Sequence, residues 1–300
     1  MTRLYRPFKN RVPDSQYRDR LAHILTRGEL VRDTPQGVGA YTCFGSLHPM
    51  VFEVQNGAPL ITERKVGFWR AGIGEILAFA NGVTDTKILR NEYGVSWWDA
   101  WATEKKCEEI GVPVGSLGPG SYGAAFHDFP TPDGHGFNQF AHVIEQLKNP
   151  KLHQRRTLVI SPWIPFYNGW GGVQKAVVSP CHGWLHFRVL NGELSMRMDQ
   201  RSADFPIGVP MNMIQYFALL LLVAQVCALR PSRFIHSFSD AHIYENQEDA
   251  VGTITNRESR RLPTLTLDPG VNDFFSARPH HFTLTDYEPH PAIANIPVAI

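Results

Sequence analysis

The chain has 300 residues, with 29 lysines and arginines against 28 acidic side chains and a formal net charge of +1. So even a balance provides no whole-molecule field for holding nucleic acid or an anionic membrane, and any anion recognition must be local. The length suits one large domain or two ordinary ones, and the four cysteines (Cys43, Cys107, Cys181, Cys227) lack the paired spacing of a disulfide framework.

In chain order, the polar N-terminus lacks the apolar stretch of a secretory signal, and Ser15 is placed to cap a helix to about Gly28. Tyr17, Leu21, Ile24 and Leu25 form its apolar face. "GVGAYTCFG" (37–45) and "MVFEV" (50–54) read as strands, and residues 68–82 and 97–111 as two helices. Residues 137–150 predict an amphipathic helix stopped by Pro150. "RTLVIS" (156–161) has a buried-strand pattern, and a glycine-rich loop follows at 166–176. Residues 182–202 alternate around Asn191-Gly192, a strong hairpin signal. An apolar helix is expected over about 212–229, then strands at "RFIHSF" (233–238) and "TLTL" (264–267). The apolar run 216–229 is shorter than the roughly 20 residues of a membrane span and contains Gln225. The expectation is a cytoplasmic α+β protein of one domain, with no membrane partner and nucleic acid disfavoured.

Five features carry possible chemistry. Cys181 stands in "SPCHGW" (179–184); it is either an inert packing thiol or a nucleophile activated by nearby cations. Arg201 is a suitable cation, because the hairpin folds its strand back beside Cys181. His182 and His186 would lie about 13 Å apart on a strand, too far to share one metal, and no metal site is expected. Arg155, Arg156 and Arg201 with Ser202 suit an oxyanion such as phosphate, or are solvated surface charges. Asn212 is either a helix cap or an amide matching the N3–H and O4 edge of uracil. Glu75 lies in "GIGEILAFA" among apolar neighbours, where burial would raise its pKa toward the range useful for proton transfer.

Together, "PCHGW" (180–184), "QRSADFPIGVPMNMIQY" (200–216), "FSDAHIYENQ" (238–247) and "HPAIANIPVAI" (290–300) resemble the thymidylate synthase superfamily from about residue 30 onward. The resemblance implies a single α+β domain, a bent mixed β-sheet with flanking helices whose sheets pack back to back in a homodimer. An N-terminal segment (1–30) would precede the catalytic domain (31–300). It further implies Cys181 as nucleophile, Glu75 and Tyr122 as proton-handling groups, and Arg201 and Ser202 on phosphate. Arg155 and Arg156 would reach into the partner's site. Asn212 would read uracil, while His242 and Tyr244 would hold the deoxyribose hydroxyl. Lys65, Trp98, Trp101, Asp204 and Gly208, with Val298 and Ala299 in the tail, would serve 5,10-methylenetetrahydrofolate; Asp204 falls in the nucleotide set as well.

The implied activity is one-carbon transfer to C5 of a pyrimidine nucleotide through a Cys181 adduct, foremost dUMP to dTMP. Hydroxymethylation of dUMP, dCMP or CMP, or a non-catalytic nucleotide- or RNA-binding role, are the alternatives. A cysteine hydrolase is a third, disfavoured because adjacent Cys-His lacks the geometry. The resemblance also puts Arg32 in the nucleotide-binding set, as the arginine of an N-terminal phosphate loop, with two departures: Arg32 is displaced within "VRDTPQGVGAYTCFG" (31–45), and "AAFH" (124–127) follows Tyr122-Gly123.

Overall fold

The computed structural model describes residues 4–169 and 174–299. The middle of the expected glycine-rich loop, 170–173, and the terminal Ile300 lie outside the described residues.

The helices are α1 (Gln16–Arg27), α2 (Trp69–Ala80), α3 (Thr86–Tyr93), α4 (Glu104–Ile110), α5 (Tyr122–His127), α6 (Gln139–Lys148), α7 (Gly208–Val226) and α8 (Glu248–Thr255). The strands are β1 (Glu29–Val31), β2 (Ala40–Phe44), β3 (Met50–Glu53), β4 (Phe129–Pro130), β5 (Gly136–Phe137), β6 (Val159–Ile160), β7 (Trp184–Leu190), β8 (Glu193–Asp204), β9 (Arg230–Tyr244), β10 (Thr264–Leu267) and β11 (Phe282–Thr285). The main sheet runs β1-β2-β9-β8-β7-β6, and β3 pairs with the first half of β9.

The expected hairpin forms β7 and β8. Asn191 (φ 52°) and Gly192 (φ 80°) are both left-handed at its tip, as a tight turn between twisted strands requires. Leu185, Phe187, Val189, Leu194, Met196 and Met198 point into the core. From β8 the chain crosses over through α7 and returns as β9, parallel to β8. A helical crossover permits parallel pairing where a tight turn would not. The sheet is therefore mixed rather than built only of antiparallel strands. The β8–β9 register slips between Leu194 and Ser195, leaving Ser232 as a bulged residue; its hydroxyl donates to Glu193 Oε2 (3.0 Å).

α7 is buried almost all round. It is long and apolar enough to cross a membrane, but 89% of its most apolar stretch is buried inside this fold. It packs on α2 and lies against β8 and β9. α1 joins the same core through Tyr17, Leu21 and Ile24. The opposite face of the sheet carries a cross-strand row, Val159, His186, Arg197, Ile235 and Val51, all half-buried or exposed in the single chain.

Several element boundaries differ from expectation. Residues 97–111 are a 3-10 turn (Trp97–Ala100) and then α4, because Thr103 caps a new helix by accepting from the Lys106 N–H. The strand expected over 156–161 shrinks to β6, and α7 begins and ends about four residues earlier than its apolar run suggests. α3, α5, α8 and β11 escape the sequence patterns, as do β1, β4 and β5.

Candidate active site

Cys181 sits just before β7. Its backbone N–H donates to Tyr122 Oη (2.6 Å), and its carbonyl accepts from the backbone N–H of Arg201 (2.7 Å) and Ser202 (3.2 Å). The hairpin brings the Arg201 side chain around the thiol. Arg201 Nη2 lies 3.6 Å from Sγ, while Nε donates to Pro180 O (3.1 Å) and the guanidinium lies 5.5 Å from the Trp163 ring. Burial pushes the thiol pKa up, and the Arg201 charge with the Tyr122 hydroxyl pulls it back down.

Tyr122 opens α5 and is buried, stacked between Phe79 (4.9 Å between ring centres) and His182 (4.6 Å). Burial, then the neighbouring Cys181 and Tyr216, raise its pKa well above the usual phenol value. His182 Nδ1 meets Tyr216 Oη at 2.6 Å; burial lowers its pKa to about 3, so it stays neutral. The histidine beside the cysteine is therefore a packing and hydrogen-bonding group. Among the described residues, no three His, Cys, Asp or Glu side chains gather as metal ligands.

Glu75 sits on the face of α2 turned toward α7. Trp97 Nε1 (2.7 Å) and Trp98 Nε1 (2.6 Å) both donate to its Oε1, and Gln215 Nε2 donates to Oε2 (2.8 Å). Burial raises its pKa, and the three donors oppose that rise. From Gln215 a buried chain continues. Asn212 Nδ2 donates to Gln215 Oε1 (2.9 Å), Gln200 Nε2 donates to Asn212 Oδ1 (3.0 Å), and Gln200 Oε1 meets His236 Nε2 at 2.7 Å.

These contacts close a ring. Tyr122 lies edge-on to Trp98, Trp98 holds Glu75, and the amide chain runs through Gln215 and Asn212 to Gln200. Gln200 Nε2 then donates to Ser202 O (3.0 Å), and Ser202 N–H returns to Cys181 O. Cys181, Glu75, Tyr122, Arg201 and Asn212, singled out by sequence, are thus brought into one network. Trp97, Gln215, Gln200 and His236 complete it and were not anticipated.

The parallel register sets Ser202 beside Asp240 and Asp204 beside His242. His242 packs against Tyr244 (5.1 Å between ring centres), and its Nδ1 lies 3.5 Å from Asp240 Oδ1. Asp204 accepts from Ile207 N–H (3.2 Å) just before Gly208 opens α7, and Gln247 Nε2 reaches both its oxygens (3.3 and 3.2 Å). Burial raises its pKa to about 6, against the pull of His242. Gln247 Nε2 also donates to Pro297 O (2.9 Å), tying the C-terminal tail with Val298 and Ala299 to this corner.

The remaining expected residues lie further out. Arg32 follows the edge strand β1 with its side chain 75% exposed, 3.9 Å from Glu245 Oε1. Arg155 and Arg156 are exposed between α6 and β6, and among the described residues neither side chain has a hydrogen-bond or ion-pair partner. Lys65 is exposed ahead of α2, and Trp101 rests half-buried on the core. A separate groove of about 780 Å³, lined by Tyr5, Phe8, Leu229 and Pro231 among others, shares no residue with this network.

A family model described as thymidylate synthase matches residues 15–300, and the chain belongs to that family. The match takes in α1 as well as the region of resemblance from residue 30. The chain is accordingly a folate-dependent one-carbon transferase acting on a pyrimidine nucleotide.

Proposed function

We propose that the protein converts dUMP to dTMP through a covalent Cys181 adduct. The observation that carries this reading is the closed ring linking the thiol and Arg201 to Tyr122, Glu75 and Asn212. The Cys181 thiolate adds to C6 of uracil: the S–C6 bond forms, and the C5=C6 pair moves toward C5 and O4. Arg201 at 3.6 Å favours the thiolate, and covalent addition divides one hard substitution into easier steps. Asn212 holds the N3–O4 edge, Glu75 handles the proton near O4, and Tyr122 assists loss of the C5 proton. Arg201 and Ser202 bind the phosphate, while His242 and Tyr244 face the sugar.

5,10-Methylenetetrahydrofolate supplies the one-carbon unit, and the residues present suit it. Asp204 offers a carboxylate to the N–H groups of a pterin, Trp98 and Trp101 offer flat apolar surfaces, and the tail tied through Gln247 is placed to cover them. The burial of Trp98 favours a water-excluding site and hence methylation over hydroxymethylation. The row of Val159, Ile235 and Val51 on the open sheet face supports back-to-back pairing of two copies, with Arg155 and Arg156 serving the partner's phosphate site.

The test is turnover of dUMP with the folate, followed by dihydrofolate absorbance and product mass. A methylated product with dihydrofolate is expected, and Cys181→Ala should abolish turnover while retaining nucleotide binding. A hydroxymethylated product without dihydrofolate would establish the rival chemistry. Unchanged turnover in Cys181→Ala would refute the adduct.

A further inference from the structure

The buried chain that holds Asn212 has a direction. An indole N–H only donates, so Trp97 and Trp98 fill Glu75 Oε1 and leave Oε2 to Gln215. An ionised carboxylate only accepts. Gln215 must therefore present Nε2 to Glu75 and turn its Oε1 to the Nδ2 of Asn212. At the far end, the Ser202 carbonyl also only accepts, which orients Gln200 with Nε2 toward Asn212 Oδ1. His236 then supplies its Nε2–H to Gln200 Oε1, which leaves its buried Nδ1 as an acceptor with no partner among the described residues. Asn212 is held from both sides, with one N–H and one oxygen lone pair to spare.

We propose that Gln215 is a positioning residue that couples the carboxylate of Glu75 to the amide of Asn212, so that a proton on Glu75 weakens the site's preference for a 4-keto over a 4-amino pyrimidine. This rests on the reading of Asn212 as the group facing the base edge. In that reading the ring's 4-substituent lies on the Glu75 side, where Asn212 presents Nδ2. The held amide donates to a 4-keto oxygen and accepts from N3–H. A 4-amino ring reverses donor and acceptor and meets N–H with N–H.

A proton on Glu75 has room only at Oε2. There it faces the Nε2 of Gln215 unless that amide turns over, and a turned amide sets N–H against the Asn212 Nδ2. The link to Asn212 is then broken. The titratable groups that sense Glu75 are Tyr122 on α5 and Tyr216 on α7, both raised well above the usual phenol value by burial first. α3 and the 279–281 turn meet α2 at Gly74 through the Tyr93 carbonyl and Pro279, and Arg278 lies over the Tyr93 ring. The Glu75 pKa itself is raised by burial, against the pull of the Trp97, Trp98 and Gln215 donors.

The test compares the intact wild-type protein with Gln215→Met, which keeps length and drops the amide, and with Trp97→Phe. Calorimetry measures dUMP and dCMP affinities between about pH 5 and about pH 8. Wild type is expected to prefer dUMP at the upper end and to lose roughly tenfold of that preference as Glu75 takes up its proton. Gln215→Met is expected to show a weaker preference that no longer changes with pH. Trp97→Phe should keep the wild-type preference at the upper end but lose it at a higher pH, because the carboxylate has one donor fewer. In ligand-free protein, the Asn212 side-chain amide resonance should titrate in wild type and stay flat in Gln215→Met. A Gln215→Met protein with the wild-type preference and pH dependence overturns the coupling, as does an amide that titrates alike in both. Wild-type protein that binds neither nucleotide would defeat the base-reading assignment, while the ligand-free titration still decides the coupling.

Discussion

At the scale of single residues, the reactivity of Cys181 is a contest between its burial and the guanidinium 3.6 Å away. Arg201→Gln removes the opposing charge, so the thiol pKa should rise further and thiolate reactions near neutral pH should slow several-fold. The alkylation rate of Cys181 by iodoacetamide against pH measures this; an unshifted profile would mean Arg201 does not govern the thiol. Cys181, Arg201, Asn212 and Glu75 were legible because each is a chemically distinctive side chain in a short motif or an unusual setting. Glu75 stood out as a carboxylate among apolar neighbours, and the structure supplies the three donors such a group demands. Trp97, Gln215 and Gln200 were not legible. An indole or an amide is ordinary in sequence, and its part here is a direction of hydrogen bonding that exists only once α2, the 97–100 turn, β8 and α7 converge.

At the scale of elements, α2 carries Glu75 and depends on a glycine for its seat. A Cβ added at Gly74 would stand 2.2 Å from the Tyr93 carbonyl at the end of α3. Backbone cannot yield as a flexible side chain would, so Gly74→Ala should cost about 1–3 kcal/mol of stability. Chemical denaturation checks this, and a wild-type midpoint would mean that α2 and α3 separate freely. α3 itself left a signal that apolar periodicity overlooks. Asp85 accepts from Lys87 and Ile88 N–H at its start, and Gly94 ends it in the left-handed region. The predicted 97–111 helix failed for a related reason, since Thr103 is a better start than an interior residue. The hairpin was legible because its turn chemistry is local. The parallel β8–β9 pairing was not, because it is decided by the path of α7 rather than by either strand.

At the scale of the whole molecule, buried titrations shape the response to pH. Asp204 holds its proton up to about pH 6 in the fold, against 3.8 for the ordinary side chain. The folded state thus binds that proton more tightly, so this group adds stability as pH falls from about 6 toward 3.8 and withholds it at neutral pH. Asp204→Asn should therefore melt higher than wild type near pH 7, with the gap closing as pH falls through that window. Glu75, His182 and His236 are common to both proteins and cancel in the difference. A gap that is constant across the window would contradict the shift. Assembly can be tested separately by mixing Cys181→Ala with a double variant, Arg155→Ala and Arg156→Ala. If the arginines serve the partner, mixed dimers should regain up to about a quarter of normal activity, because half the dimers are mixed and each has one intact site. No recovery would place the arginines elsewhere.

The bulge at Ser232 acts as a phase setter for everything downstream on β9. Seven and nine residues past the Ser195–Arg233 pair, the same offset decides which side chains of β9 stand beside Ser202 and Asp204. Lengthening the Asn191-Gly192 tip would leave that alignment untouched, whereas deleting one residue between Ser232 and Asp240 would turn Asp240, His242 and Tyr244 to the wrong side together. The molecule should thus tolerate variation at the end of its hairpin and forbid it in a stretch of strand that carries none of the reacting groups.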